Sequence, residues 1–442
     1  GCGAGLPAWA VTGHRLPVHF SFPHPEGPTM LFLNPRATRA DYPPELSAIM
    51  NIAQAHQSRE WLSSWRGIHP NATPLYDLPD AAARCQVGRL CLKDESVRSP
   101  LGSFKALGAP IALVRQILRL HPDFEPAAIL TGRYAEALRG YTVISATDGN
   151  HGRGLAAAAQ DAGCRCVIVL HAHVSPEREQ AIAAYGADIV RIAGNYDESV
   201  QEAARLAAAH GWQVIADTSY DGYEDIPRDV MQGYGAIAEE IVEQTSAQRG
   251  RAGAFTHVFL QGGVGGMAAG LASYFWEYHG PQRPCFISVE PAQADCLLQS
   301  SIQGRPAKAT GTVDSVMAGL ACGETSPLAW RFLQPCVDAF MTIEDEQAIE
   351  AMRTLAQGSE RDTPIVAGES GVAGLAALEW LRSDPQRSEQ VGLTAESRVL
   401  IISTEGATAP REYTRLVGQS AEQVLQRQQA WQAAHALQTQ PA

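Results

Sequence analysis

The chain has 442 residues, enough for more than one hydrophobic core, so two lobes are expected. Its net charge is −13, from 34 Lys and Arg against 47 Asp and Glu, with no basic block. That argues against nucleic acid and against an anionic membrane surface as partners. A hydrophobic fraction of 45% belongs to a globular enzyme rather than to a disordered chain.

No apolar run is long enough to span a bilayer, and the first twenty residues lack a charged segment followed by an apolar one. A cytoplasmic location is expected. Nine cysteines are scattered without a Cys-x-x-Cys pair, which gives neither a zinc pattern nor a disulfide framework. Cys164 and Cys166 alternate along a strand and face one side. Cys296 and Cys322 bracket a loop and could pair across a pocket entrance, although cytosolic thiols usually stay reduced. His171 and His173 straddle a strand end without a third ligand, so no metal is expected.

In chain order, Pro35, Pro43 and Pro44 break the first segment, and a helix is expected over 44–66. A strand over 88–93 leads into Lys93-Asp94-Glu95-Ser96 and then Ser99-Pro-Leu-Gly-Ser-Phe-Lys105, with a helix from Lys105 onward. From Tyr141 strands and helices alternate: TVISAT, CRCVIVLH, DIVRIAG and WQVIAD are four strands, the last ending at Asp217. Ser175-Pro176-Glu177 opens one of the helices as cap, first residue and acidic first turn. This alternation makes a parallel sheet with helices on its faces. It places a small domain at 139–225 inside a large one, 1–138 and 226–415, with a helical tail at 416–442. The large domain continues through the helix MQGYGAIAEEIVEQ, the strand FTHVFLQ, the strand PCFISVE and the strand RVLIISTEG.

Five places carry chemistry. Lys105 follows Gly102 and Ser103, small residues that let a ligand approach the backbone. At the positive end of a helix its amine is either a solvated cation or a desolvated, reactive group suited to a carbonyl cofactor. The loop Gly262-Gly263-Val264-Gly265-Gly266 lies between strand and helix, where backbone N–H groups wrap a phosphate. It also matches a dinucleotide fingerprint, with Glu290 ending the next strand where a ribose-binding acid would stand. In Thr147-Asp148-Gly149-Asn150-His151-Gly152, Asp148 is either a helix cap or a catalytic carboxylate, and His151 reads as packing. Asp217 ends a neighbouring strand on the same side as Asp148, or is a plain turn aspartate. Ser403 and Thr404, after the last apolar strand, are either a plain strand-end turn, the reading favoured if the loop stood alone, or hydroxyls placed to meet a ring nitrogen.

The lysine stretch, the Gly-Asn-His-Gly loop, the glycine loop and the terminal Ser-Thr, in this order, resemble the fold type II pyridoxal-phosphate enzymes over residues 74–410. The resemblance implies an α/β fold of two lobes, each with a mostly parallel sheet flanked by helices, and a homodimer. It implies a Schiff base at Lys105, with Phe104 behind the ring and Asn150 on the ring hydroxyl. The phosphate would rest on Gly262, Gly263, Val264, Gly265 and Gly266, and the ring nitrogen would meet Ser403, with Thr404 the alternative. Most dehydratases of this fold carry Ser where this chain has Asp148. Thr-Asp-Gly-Asn-His-Gly-Arg-Gly, with Lys-Asp-Glu-Ser and Asp217, resembles the diaminopropionate ammonia-lyase family instead. That resemblance implies elimination of ammonia from D- and L-2,3-diaminopropionate to give pyruvate, with Lys105 and Asp148 as bases on opposite faces. Asp217 would hold the second ammonium. A serine or threonine dehydratase, a nicotinamide oxidoreductase and a non-catalytic amino-acid-binding regulator are the alternatives.

Overall fold

A computed structural model describes residues 30–147, 149–247 and 253–438. Among these residues eleven strands form two sheets: β1 (Leu31–Leu33), β2 (Leu75–Asp77), β3 (Arg89–Asp94), β4 (Thr142–Thr147), β5 (Arg165–Leu170), β6 (Asp188–Arg191), β7 (Gln213–Val214), β8 (His257–Gln261), β9 (Cys285–Pro291), β10 (Val337–Ile343) and β11 (Arg398–Ser403). The larger sheet runs β1-β10-β9-β8-β11-β3-β2, and the smaller runs β6-β5-β4-β7. Among the described residues only the edge strands β1 and β2 pair antiparallel; every other strand neighbour is parallel.

This pattern follows from composition. β8 is buried at every position, and β9 and β11 at all but their first, because helices cover both faces of a parallel sheet. The last strand in sequence, β11, sits between β8 and β3 in the middle of the large sheet. All four strands of the smaller sheet fall inside the interval 139–225.

Three expectations need correction. The helix over 44–66 is two helices, Pro44–Ser47 and Ile52–Leu62. Asn51 separates them: it is extended (φ −154°), and its side chain accepts the Gln54 N–H as a new cap. The helix does not begin at Lys105. Phe104–Leu107 is a 3₁₀ turn, and the α-helix runs Ala109–Leu120, with Pro110 in the first turn where its missing N–H does no harm. The strand WQVIAD shortens to β7, so Asp217 lies three residues beyond it, although the Ile215 N–H still donates to Ile144 O at 2.9 Å.

The helix Asp225–Thr245 is the spine behind the Lys105 turn. It packs on the helices Ala109–Leu120 and Gly266–His279, and close approach needs glycine. A Cβ on Gly233 would run into Leu107 O, and one on Gly270 would lie 2.6 Å from Met231 O. The same helix carries Glu240 into a buried ionic network. The Lys93 ammonium, fully buried, donates to Glu240, Gln244 and Thr73 O, and Arg98 pairs with both Glu95 and Glu240. Lys93-Asp94-Glu95-Ser96 is thus an anchor for the segment that leads to Lys105. Among the described residues no helix is long and apolar enough to cross a membrane.

Candidate active site

The carboxyl ends of β4, β8 and β11 open on one cavity, the usual place for a ligand in a parallel sheet. Lys105 enters from the 3₁₀ turn, which Ser103 caps by accepting the Lys105 N–H and which is tied to the large sheet by Phe104 N–H to Thr404 O at 3.0 Å. The Lys105 ammonium donates to Asp217 Oδ2 at 2.9 Å, both side chains being nearly buried. Burial works against the charge on Asp217, but the Lys105 ammonium, the His151 ring and a backbone N–H together outweigh it and hold the carboxyl at about 2. Asp217 is therefore anionic throughout the physiological range.

The glycine loop divides its labour. Gly262 N–H stays in the sheet, bonded to Val289 O, and Gly265 N–H closes a turn on Gly262 O. Gly265 has φ +104°, and a Cβ there would meet Leu333 at 2.9 Å. Gly262, Gly263, Val264, Gly266 and Met267 line the cavity, while Gly265 shapes the loop from behind. The N–H groups in the first turn of the helix Gly266–His279 have no intrahelical partner and form a positive end. Glu290 does not reach a ribose position. It lies beneath the loop, accepting the N–H groups of Leu297 and Leu298 at the start of the helix Cys296–Gln303. Burial pushes its carboxyl up to about 8. Cys296 and Cys322 are not joined by a disulfide; Cys296 Sγ lies 3.3 Å from Gly263 O, and Cys322 lines the cavity.

Asn150, Phe104 and Thr404 line the cavity, as does His151, whereas Ser403 does not. Ser403 Oγ is buried without a hydrogen-bond partner. Asp148 lies outside the described residues. The His151 ring bonds Ile215 O through Nε2 at 2.9 Å, and burial lowers its pKa, so the ring is neutral. Sequence reasoning passed over Tyr234, Tyr196, Gln261, Ser370 and Glu405, all on the cavity wall. Tyr234 stands edge-on to Phe104, with ring centroids 4.8 Å apart. Glu405 accepts the Asn150 Nδ2–H at 2.6 Å, the Ser370 N–H at 3.2 Å and the Thr408 hydroxyl at 3.3 Å. Next to it Glu369 is buried; burial and the Glu405 charge push its carboxyl up to about 7. Nothing in the sequence signals the Asn150–Glu405 contact, which joins residues 255 apart.

The wall accommodates a polar aromatic with an anionic arm. His151 Nδ1, Gln261 Oε1 and Tyr234 Oη are buried atoms without a protein partner, and the helix start offers N–H groups to an anion. Among the described residues no group of three or more His, Cys, Asp or Glu could hold a metal ion.

Residues 68–405 match the family model described as pyridoxal-phosphate dependent enzyme. The chain is 38% identical, over 379 residues, to diaminopropionate ammonia-lyase of Escherichia coli strain K12, covering 84% of this chain and 93% of that one. This chain belongs to the diaminopropionate ammonia-lyase family. The family's enzyme from Salmonella typhimurium strain LT2 is 37% identical, over 79% of this chain and 89% of its own. The crystal structure of the Escherichia coli diaminopropionate ammonia-lyase with an aminoacrylate–PLP azomethine reaction intermediate superposes with a TM-score of 0.78 at 35% identity. It covers 88% of this chain and 96% of that one. The fold is that of the type II pyridoxal-phosphate enzymes, and pyridoxal phosphate is the cofactor of this ammonia-lyase family.

Proposed function

We propose that this chain eliminates ammonia across Cα and Cβ of 2,3-diaminopropionate, in both enantiomers, to give pyruvate and two molecules of ammonia. The observation that carries the reading is the ion pair of Lys105 with Asp217 inside a cavity edged by a glycine-rich helix start. Bound there, pyridoxal phosphate supplies an electron sink that acidifies the Cα–H of an amino acid joined to it. Lys105 would anchor the cofactor and then take the Cα proton of the L substrate at Nζ. Asp148 would take that of the D substrate from the other face. Asp217, held as an anion, would keep the β-ammonium in place until the C–N bond breaks and ammonia leaves with the bonding pair. The released enamine then hydrolyses to pyruvate and the second ammonia.

The phosphate would rest on the loop Gly262–Gly266, chiefly on the N–H groups of Gly263, Val264 and Gly266. Phe104 would back the ring, and Asn150 would meet the ring oxygen. The ring nitrogen falls to Ser403 or Thr404, which the variants Ser403→Ala and Thr404→Val separate. The reading includes a cytoplasmic homodimer, and sedimentation measures the dimer.

Pyruvate release from D-diaminopropionate, L-diaminopropionate and serine tests the reading, which fails if serine is the better substrate. Lys105→Ala should lower turnover by roughly 10²–10⁴-fold, the usual contribution of a positioned base. Asp148→Asn should impair the D substrate far more than the L; equal loss on both removes the two-base scheme.

A further inference from the structure

The helices Ile52–Leu62, Ala109–Leu120 and Asp225–Thr245 border a second cleft, which shares no lining residue with the catalytic cavity. Its wall holds three arginines, Arg115, Arg119 and Arg228, against one carboxylate, Asp229. Arg119 Nη2 lies 2.9 Å from Asp229 Oδ2, and Arg228 Nη2 lies 3.1 Å from Oδ1, so Asp229 is divided between two guanidiniums. Arg228 also meets Asp225 at 3.2 Å, but Asp225 is exposed and outside the cleft.

Among the described residues no carboxylate pairs with Arg115. Its Nη1 donates to Gln57 and its Nη2 to Ser58 and Gln54 O, all neutral, and its Nε, buried, has no partner. The Trp61 ring holds the guanidinium from one side at 4.7 Å. Burial lowers the Arg115 pKa; Asp229 opposes this, and Arg228 and Arg119 add to it, so the three cations are close enough to repel. With Asp229 shared by Arg119 and Arg228, and Asp225 meeting Arg228 from outside, the three guanidiniums exceed the carboxylates they meet by one, a positive recess on a chain of net charge −13. Planar guanidinium forks match the oxygens of a phosphoryl group, which carries about −1.5 to −2 at neutral pH.

We propose that this cleft is a binding site for a phosphoryl anion, held by Arg115, Arg119 and Arg228 and independent of the catalytic reading. An anion there would clamp the helix that follows the Lys105 turn to the helix that carries Tyr234, and so bears on the cavity from behind.

The test is calorimetric titration of inorganic phosphate into the cofactor-loaded protein, in a phosphate-free buffer at constant ionic strength, so that the glycine loop is already taken. Saturable binding of one phosphate per chain is expected. Arg115→Gln and Arg228→Gln should each weaken it about tenfold or more, the worth of one charge-assisted hydrogen bond. Arg228 is partly exposed, so its variant should fold, and an unchanged cofactor absorption band checks this. Absence of saturable heat, or unaltered affinity in both folded variants, overturns the proposal.

Discussion

At the scale of single residues, the Lys105–Asp217 pair sets a definite pH dependence. The Asp217 carboxyl sits at about 2 in the fold against an ordinary value of 3.8. Its contribution to stability is complete above the ordinary value and disappears as pH falls through the folded one. The shift is worth about 2 kcal/mol. Asp217→Asn in the cofactor-free protein should therefore lower stability by about that amount at neutral pH, with the two proteins converging toward pH 2. Urea titrations at several pH values measure it; parallel curves would show that the pair adds nothing. Glu405 presents a second case. A carboxylate only accepts, so its bond to Nδ2 fixes which way the Asn150 amide faces and leaves the second N–H of that nitrogen for a ligand. Glu405→Gln lets the amide turn either way. Affinity for pyridoxal phosphate should drop about tenfold, read from the visible band as the cofactor is added to apoprotein. Lys105 stood out in the sequence because small residues, Gly102 and Ser103, precede it, and Asn150 and Asp217 because each comes after a strand of the alternating block; all three line the cavity. Glu405 did not, because its meaning lies in a partner on the other sheet.

At the scale of elements, local chemistry announced some boundaries and tertiary contacts set others. Ser175 caps its helix as the sequence implies, with its side chain accepting the Arg178 N–H. The interruption at Asn51 is different: the Asn51 N–H is taken by Gln232 of a distant helix, a contact no local pattern encodes. The 3₁₀ turn at Lys105 belongs with it. Phe104 is tied to Thr404 and Ser103 bridges to Glu405, so the turn is pinned to the large sheet before the α-helix begins. Gly233 backs that turn from the spine helix. Gly233→Ala would press a methyl on Leu107 O, and backbone cannot swing aside as a side-chain tip can. A destabilisation of about 1–3 kcal/mol is expected, the usual toll of overpacking. Weaker retention of the cofactor should accompany it, because Leu107 is two residues from Lys105. Denaturant midpoints and dialysis against buffer test both; a stable variant that keeps its cofactor would show that the turn tolerates displacement.

At the scale of the whole molecule, the parallel sheets were readable because buried strands are written as continuous apolar runs. The short edge strands β1 and β2 were not, since three residues carry little pattern. The buried network of Lys93, Glu95, Arg98 and Glu240 ties β3 to the spine helix. Burial raises the Glu240 carboxyl, but Arg98 and Lys93 outweigh this and hold it at about 2. Glu240→Ala would strand a buried ammonium, which costs about 3–5 kcal/mol in comparable networks. Chemical unfolding measures it, and a change below 1 kcal/mol, the scale of exposed pairs, would refute the network's role.

The place of β11 has a consequence for biosynthesis. Residues 398–403 fill the gap between β8 and β3, so a nascent chain still lacking them holds two halves of a sheet with no seam between them. The ribosome must release this segment before Thr404 and Glu405 can complete the cavity wall. Ribosome-stalled chains ending before residue 398 should fail to capture the vitamin, whereas full-length chains load it after synthesis is over.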